Sequence, residues 1–191
     1  MHAPVSSQRL FLAVFPSAAV LAGAARVTDA LRERGDGVAW VKRENMHYTL
    51  RFLGEVDAES AVAAAEAANE AAAAHAPFAA ALAPAGAFPE PRRARVLWLG
   101  MSAGAAAMCA LAATLEDALA ARGFARDAQP FSPHLTLGRV RLPGDWTARL
   151  AAAPAPRARF RVERIELVRS TLGAGGSRYE RLHGAALAGN A

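Results

Sequence analysis

Apolar and polar positions along the chain fall into two periods. Arg9-Leu10-Phe11-Leu12-Ala13-Val14-Phe15 is apolar after its first residue, which predicts a buried strand, and Pro16 ends it. Ser17 predicts a cap for a helix running to about Arg34, where Gly35-Asp36-Gly37 stops it. Val38-Ala39-Trp40-Val41 and Asn45 to Leu53 predict strands, the second closed by Gly54. Asp57 caps a long alanine-rich helix reaching about His75, before Pro77. Phe78 to Leu82 and Arg95 to Met101 predict strands, with a Pro- and Gly-rich loop from Pro84 to Pro91 between them.

The second half repeats this rhythm. A helix spans about Ala105 to Arg122 and ends at Gly123. An extended region lies between Phe124 and Phe131, and a strand follows from His134 to Val140. A helical turn near Asp145 to Leu150 and a Pro-rich linker, Ala153 to Pro156, precede two strands, Phe160 to Ser170 and Tyr179 to Leu187. The turn between those strands is Gly173-Ala174-Gly175-Gly176-Ser177. Each half therefore has a helix, an extended region and a strand opening on His-x-Thr-Leu. The pattern predicts a duplicated α+β unit with pseudo-two-fold symmetry.

Strand alternation gives the repeated word a chemical meaning. In His47-Tyr48-Thr49-Leu50, His47 and Thr49 share one face, and Tyr48 and Leu50 share the other, which suits a core. His134-Leu135-Thr136-Leu137 repeats the arrangement. Two opposed imidazoles supply a general base and a general acid near neutral pH, and two hydroxyls donate hydrogen bonds to phosphoryl oxygens. In-line cleavage of a phosphodiester needs this set and no metal or cofactor. Arg51 continues the alternation of His47 and Thr49, so it is expected in the cleft as a phosphate contact. Arg139 falls on the opposite parity to His134, and a bulge at Gly138 would re-aim it.

Composition adds less. A 53% apolar content with mean hydropathy +0.13 describes a folded chain. No apolar run is long enough to span a bilayer, since Ser102 to Ala121 is broken by Gly104, Glu116 and Asp117. Met1 to Arg9 has no basic stretch before an apolar one, so a cytoplasmic location and no membrane partner are expected. The single cysteine, Cys109, excludes an intrachain disulfide and a cysteine-based zinc cage. The net charge of +5 favours an anionic partner. Lys42 is the only lysine, so that charge is almost all arginine and fits an Arg- and Ala-rich coding bias equally well.

The chain resembles the 2H phosphoesterase superfamily, and within it the bacterial and archaeal RNA 2',3'-cyclic phosphodiesterases, also called 2'-5' RNA ligases. The resemblance rests on both tetrapeptides, on Arg9-Leu10-Phe11, and on the run Glu44 to Gly54 around the first motif. It extends to Val96-Leu97-Trp98-Leu99-Gly100, Phe131-Ser132-Pro133 before the second motif, Gly138-Arg139 after it, and Ser170-Thr171-Leu172 with Gly176 and Tyr179. It implies one bilobal domain over residues 1–191, with two antiparallel sheets lining a central cleft and helices outside. It implies that His47 donates a proton to the leaving ribose oxygen, that His134 accepts one from water, and that Thr49 and Thr136 hold the phosphate. Arg139 would bind phosphate, and Phe11 or Phe15 would stack on a base. The partner implied is RNA with a 2',3'-cyclic phosphate terminus, or a related nucleotide, handled by a monomer. Hydrolysis to a 2'-phosphomonoester is expected, with reversible 2'-5' ligation as a second activity. A non-catalytic RNA-binding module and a small-molecule cyclic phosphodiesterase are the alternatives.

Other candidates carry less. His2, His75 and His183 have no partner pattern. Arg92, Arg93 and Arg95 form a basic cluster suited to an RNA backbone or simply to solvent. Trp40 and Trp98 lie in apolar strands and are expected in the core, while Trp146 is free to stack.

Overall fold

The computed structural model describes residues 7–173 and 176–189. Nine strands, β1 (Gln8–Val14), β2 (Val38–Trp40), β3 (Tyr48–Val56), β4 (Phe78–Phe88), β5 (Ala94–Ala103), β6 (Leu135–Gly144), β7 (Arg159–Val162), β8 (Arg164–Gly173) and β9 (Gly176–Ala186), alternate with four helices. These are α1 (Ala18–Leu31), α2 (Ala58–Ala73), α3 (Ala105–Ala120) and the short α4 (Thr147–Ala152). The strands run in the order β7-β4-β5-β6-β3-β1-β8-β9, all pairs antiparallel, with β2 laid against β6. Two sheets are expected from the resemblance. The strands instead form one continuous sheet, joined at its middle by a single residue pair, Tyr48 with Leu135. Four strands of that order lie on each side of the joint, with β2 added on the β6 side, and the two motif strands meet at it.

Burial explains why the joint holds. Tyr48 and Leu135 are fully buried, and the Tyr48 ring stacks on Phe160 at 5.8 Å. They belong to a core that continues through Leu10, Leu12, Leu97, Leu99, Leu137 and the inner faces of α2 and α3. A smaller cluster on the other face of the sheet holds Phe11, Ala13 and Val168, with Phe15 and Tyr179 packed against it. Alternation along β1 thus sends Leu10, Leu12 and Val14 to the helices and Phe11 and Ala13 to the cleft. No helix among the described residues is long and apolar enough to cross a membrane.

Several boundaries differ from expectation for local reasons. The first helix stops at Leu31 instead of Arg34 because Asp36 gathers the turn. Its carboxylate accepts from the backbone N–H groups of Glu33 and Val38 and from the Trp40 indole. The stretch from Pro84, expected as loop, belongs to β4 up to Phe88. Its register against β5 skips between Leu82 and Ala85, so Pro84 sits in an irregularity where no ladder donor is required. The strand expected from Phe160 to Ser170 breaks at Glu163, and β7 pairs with β4 while β8 pairs with β1. The last hairpin forms as expected, with Leu172 opposite Ser177 and Gly173 opposite Gly176. Ala174 and Gly175 of that turn, and His2, lie outside the described residues.

Candidate active site

Each motif histidine stands just ahead of its strand and is tethered by its own backbone. His47 Nδ1 lies 2.7 Å from the Asn45 carbonyl oxygen, and His134 Nδ1 lies 2.8 Å from the Ser132 carbonyl oxygen. A carbonyl only accepts, so Nδ1 carries the hydrogen in both rings. Nε2 is then the free nitrogen of both, able to accept a proton and return it. The Asn45 side-chain amide donates to the Ser177 carbonyl at 2.8 Å, fixing the first tether to the β8–β9 hairpin.

The surroundings of the rings differ. His47 stacks on Phe11 with centroids 4.7 Å apart, and Phe15 and Tyr179 close on it at 5.5 and 5.3 Å. His134 has one aromatic neighbour, Phe88, edge-on at 5.0 Å. Burial, opposed by the Asn45 carbonyl and assisted by nearby His134, lowers the pKa of His47 to about 4. Burial also lowers His134, opposed by the Ser132 carbonyl and assisted by the Arg139 charge. Both rings are therefore neutral in the free protein at pH 7.

A β-bulge decides what accompanies each pair. On β1 the step from Phe11 to Ala13 is matched on β3 by the longer step from Phe52 to Thr49, which leaves Leu50 as the extra residue. On β5 the step from Val96 to Trp98 is matched on β6 by Arg139 to Thr136, which leaves Leu137 as the extra residue. The same bulge thus falls on the fourth residue of both tetrapeptides, and it reverses parity beyond each one. Arg139 joins Thr136 on the cleft face, as the Gly138 reading allows. A Cβ on Gly138 would meet Val38 at 2.6 Å and Trp40 at 2.9 Å, so β2 leaves room only for glycine there.

The same reversal corrects the reading of Arg51. It is turned off the face shared by His47 and Thr49, pairs with Leu12 of the helix-side core, and lines the side of the cleft into which His134 opens. Its guanidinium lies 3.1 Å from Glu116 and 2.9 Å from Asp127 and also donates to the Ala125 carbonyl. Phe52 takes the place expected of Arg51. It is 45% exposed and carries the Arg9 guanidinium over its ring at 4.8 Å. Strict alternation along β3 hid Phe52; the parallel with Arg139, three residues past its threonine, was the available signal.

Phe11 also departs from expectation. It lines the pocket beside His47 but is only 3% exposed, with its ring stacked on His47 and edge-on to Tyr179, so little of it is open to a base. Trp98 is only half-buried and shares the face of Thr136, against Phe88, while Trp146 is 5% exposed in the core beside Trp40. Trp98 and Trp146 therefore exchange their expected places. His75, just past the end of α2, bonds Thr114 of α3, and His183 of β9 bonds Asn69 of α2. Arg92, Arg93 and Arg95 line neither part of the cleft described next.

The cleft has two basins. One, of about 250 Å³, is lined by His47, Thr49, Thr136, Arg139, Phe52 and Tyr179 among others. The other, of about 790 Å³, is lined by His134 together with Thr49 and Phe52, which border both. Two imidazoles with free Nε2 atoms, two threonines and an arginine meeting at one cleft of a duplicated α+β sheet define a 2H phosphoesterase.

Comparison with known proteins narrows that class. The sequence profile described as the 2'-5' RNA ligase superfamily matches residues 16–174, and the chain belongs to that family. It is 32% identical over 176 residues to the RNA 2',3'-cyclic phosphodiesterase of Thermotoga maritima, covering 92% of this chain and 93% of that one. It is 36% identical over 117 residues to the protein of the same name from Aeropyrum pernix, covering 61% of this chain and 65% of that one. Among solved structures, a Thermus thermophilus protein superposes with a TM-score of 0.81 at 29% identity, over 96% of this chain and all (100%) of that one. Escherichia coli LigT complexed with 3'-AMP superposes with a TM-score of 0.80 at 29% identity, over 95% and 99%.

Proposed function

We propose that this protein is a hydrolase that opens 2',3'-cyclic phosphate ends of RNA to 2'-phosphomonoesters by two-histidine acid–base chemistry. The observation that carries the reading is the matched pair of Nδ1 tethers, which leaves one free Nε2 on each motif. The names of the Thermotoga and Aeropyrum relatives and the nucleotide bound to LigT support the substrate class.

In this reading water is deprotonated by His134 Nε2 and attacks phosphorus. The P–O3' bond breaks, and O3' takes the proton from Nε2 of His47. Thr49 and Thr136 donate to the non-bridging oxygens, and Arg139 balances their charge. Phe52, not Phe11, offers its exposed face to the base. The depressed pKa of His47 makes it a strong acid once charged, and the bound phosphate anion supplies the charge that favours its imidazolium.

The test is turnover of a cyclic-phosphate oligonucleotide in excess chelator by the wild type, His47→Ala and His134→Ala. Each variant is expected to lose about 10²–10⁴-fold in kcat; full activity in either one sinks the assignment. Because both free imidazoles titrate below 6.5, kcat/KM is expected to peak on the acid side of that value. An alkaline optimum would remove both rings from the titrating role.

A further inference from the structure

One charged surface of the molecule takes no part in the cleft. Arg92, Arg93, Arg95 and Arg141 are all exposed. Among the described residues none of them pairs with a carboxylate, and neither does Arg139. Other arginines are held: Arg51 by Glu116 and Asp127, Arg122 by Glu66 and Glu70, Arg149 by Glu33. The stretches 88–96 and 139–146 contain only two carboxylates, Glu90 and Asp145. Asp36, on the β2 side, is occupied by the Trp40 indole and by backbone N–H groups.

The fold joins this surface to the cleft. Arg139 lines the His47 basin, and Val140 packs against the core. Arg141 therefore follows Arg139 on the same face of β6, about 6–7 Å further out. Its backbone N–H donates to the Gly37 carbonyl at 2.9 Å, which holds that end of β6 in place. The short helical turn Pro91–Arg93 packs against β6 and α4, and its Pro91 carbonyl accepts from the Trp146 N–H at 2.8 Å. Leu142 follows Arg141 and, at 81% exposure, is the most exposed large apolar side chain among the described residues. Guanidinium groups around an apolar side chain suit a strand that presents phosphates and unstacked bases.

We propose that this arginine track binds the body of a single-stranded RNA substrate, the nucleotides on the 5' side of the one in the cleft. The inference rests on the hydrolase reading above for the identity of that strand. A cyclic phosphate closes the 3' end, so the rest of the strand lies on the 5' side. The His47 basin, at about 250 Å³, falls below the roughly 300–1,000 Å³ of sites that enclose a small molecule, so it takes the terminal nucleotide and no more. The strand then continues over the surface, and the arginines without carboxylate partners line the way out from Arg139. Contacts to phosphate carry no sequence information. The track therefore selects a cyclic end carried on a strand over a free cyclic nucleotide, whatever the sequence.

The experiment compares a 2',3'-cyclic mononucleotide with a single strand of about ten nucleotides bearing the same end, over a salt series. The proteins are the wild type, the triple variant Arg92→Gln, Arg93→Gln and Arg95→Gln, and Arg141→Gln. The wild type is expected to favour the strand in kcat/KM. The triple variant should raise KM for the strand by about ten-fold or more and hold the mononucleotide within about two-fold. Its log–log salt slope should become shallower by about 0.7 for each arginine that meets a phosphate, and that of Arg141→Gln by about 0.7. Fluorescence anisotropy of a labelled strand ending in an ordinary 3'-hydroxyl reads the same surface without chemistry, and the triple variant should release it. A strand turned over no better than the mononucleotide, a KM raised equally for both, or an unchanged salt slope and anisotropy overturns the track and leaves the hydrolase reading standing. Strand binding lost in the variants, with neither substrate hydrolysed by the wild type, supports the track and overturns the hydrolase reading. An acidic peptide bound as tightly as RNA assigns the surface to another polyanion and overturns the proposal.

Discussion

Strands β3 and β6 carry the same tetrapeptide, the same tether and the same bulge, yet they build unlike halves of one site. The matched features are backbone events: an i−2 carbonyl on each Nδ1 and an extra residue at each motif leucine. The differences lie in what the rest of the fold presents to them. β3 lies between the joint and β1, so its histidine is walled by Phe11, Phe15 and Tyr179. β6 is covered by β2, which forces Gly138, and its histidine meets Phe88 alone. Duplication thus supplies two imidazoles with the same tether, and unequal burial separates their surroundings.

The largest effect that would break this comparison comes from the leaving group. An aryl phosphodiester, whose leaving oxygen needs no proton, should restore His47→Ala to within about ten-fold of the wild type while His134→Ala stays reduced by about 10²-fold or more. Equal rescue of both would erase the donor and acceptor distinction.

Unequal burial also predicts an unequal pH dependence of stability. The folded pKa of His47 lies below its ordinary 6.5, so the unfolded chain binds the proton first as pH falls. Stability is whole above about pH 6.5 and declines toward pH 4, by on the order of 3 kcal/mol from this ring. Denaturant unfolding of His47→Gln should show that decline flattened, with His134→Gln flattening it less.

The two post-bulge arginines should part company in kind. Arg139→Ala is expected to raise KM about ten-fold or more with little loss of stability, through a lost phosphate contact. Arg51→Ala should leave KM near wild type and cost about 1–3 kcal/mol, since it abandons Glu116 and Asp127. A raised KM in Arg51→Ala would return that residue to the substrate. Gly138→Ala should likewise cost about 1–3 kcal/mol in unfolding, because Val38 and Trp40 must yield.

Much of the site follows from short-range pattern. Period-two alternation put His47 with Thr49 and His134 with Thr136, and Tyr48, Leu50, Leu135 and Leu137 are buried as that alternation requires. The helices capped by Asp57 and stopped near Gly123 were likewise local events. Arg51 fails on the same rule, because a bulge is a property of two strands in register and one strand's residues do not reveal it. Gly138 was a visible exception because an unusual residue type stood where the parity broke; Leu50 gave no such mark.

What the sequence by itself determined was the chemistry on offer: two His-Thr pairs on half-buried strands, in a duplicated α+β layout. Only the tertiary structure decided that Arg139 lines the His47 basin and Arg51 the His134 basin, that Phe11 stacks on His47, and that the strands form one sheet pinned at Tyr48 and Leu135. These depend on register, on the β2 cover and on aromatic walls drawn from β1 and β9. Those contacts join residues far apart in the chain, and no local period encodes them.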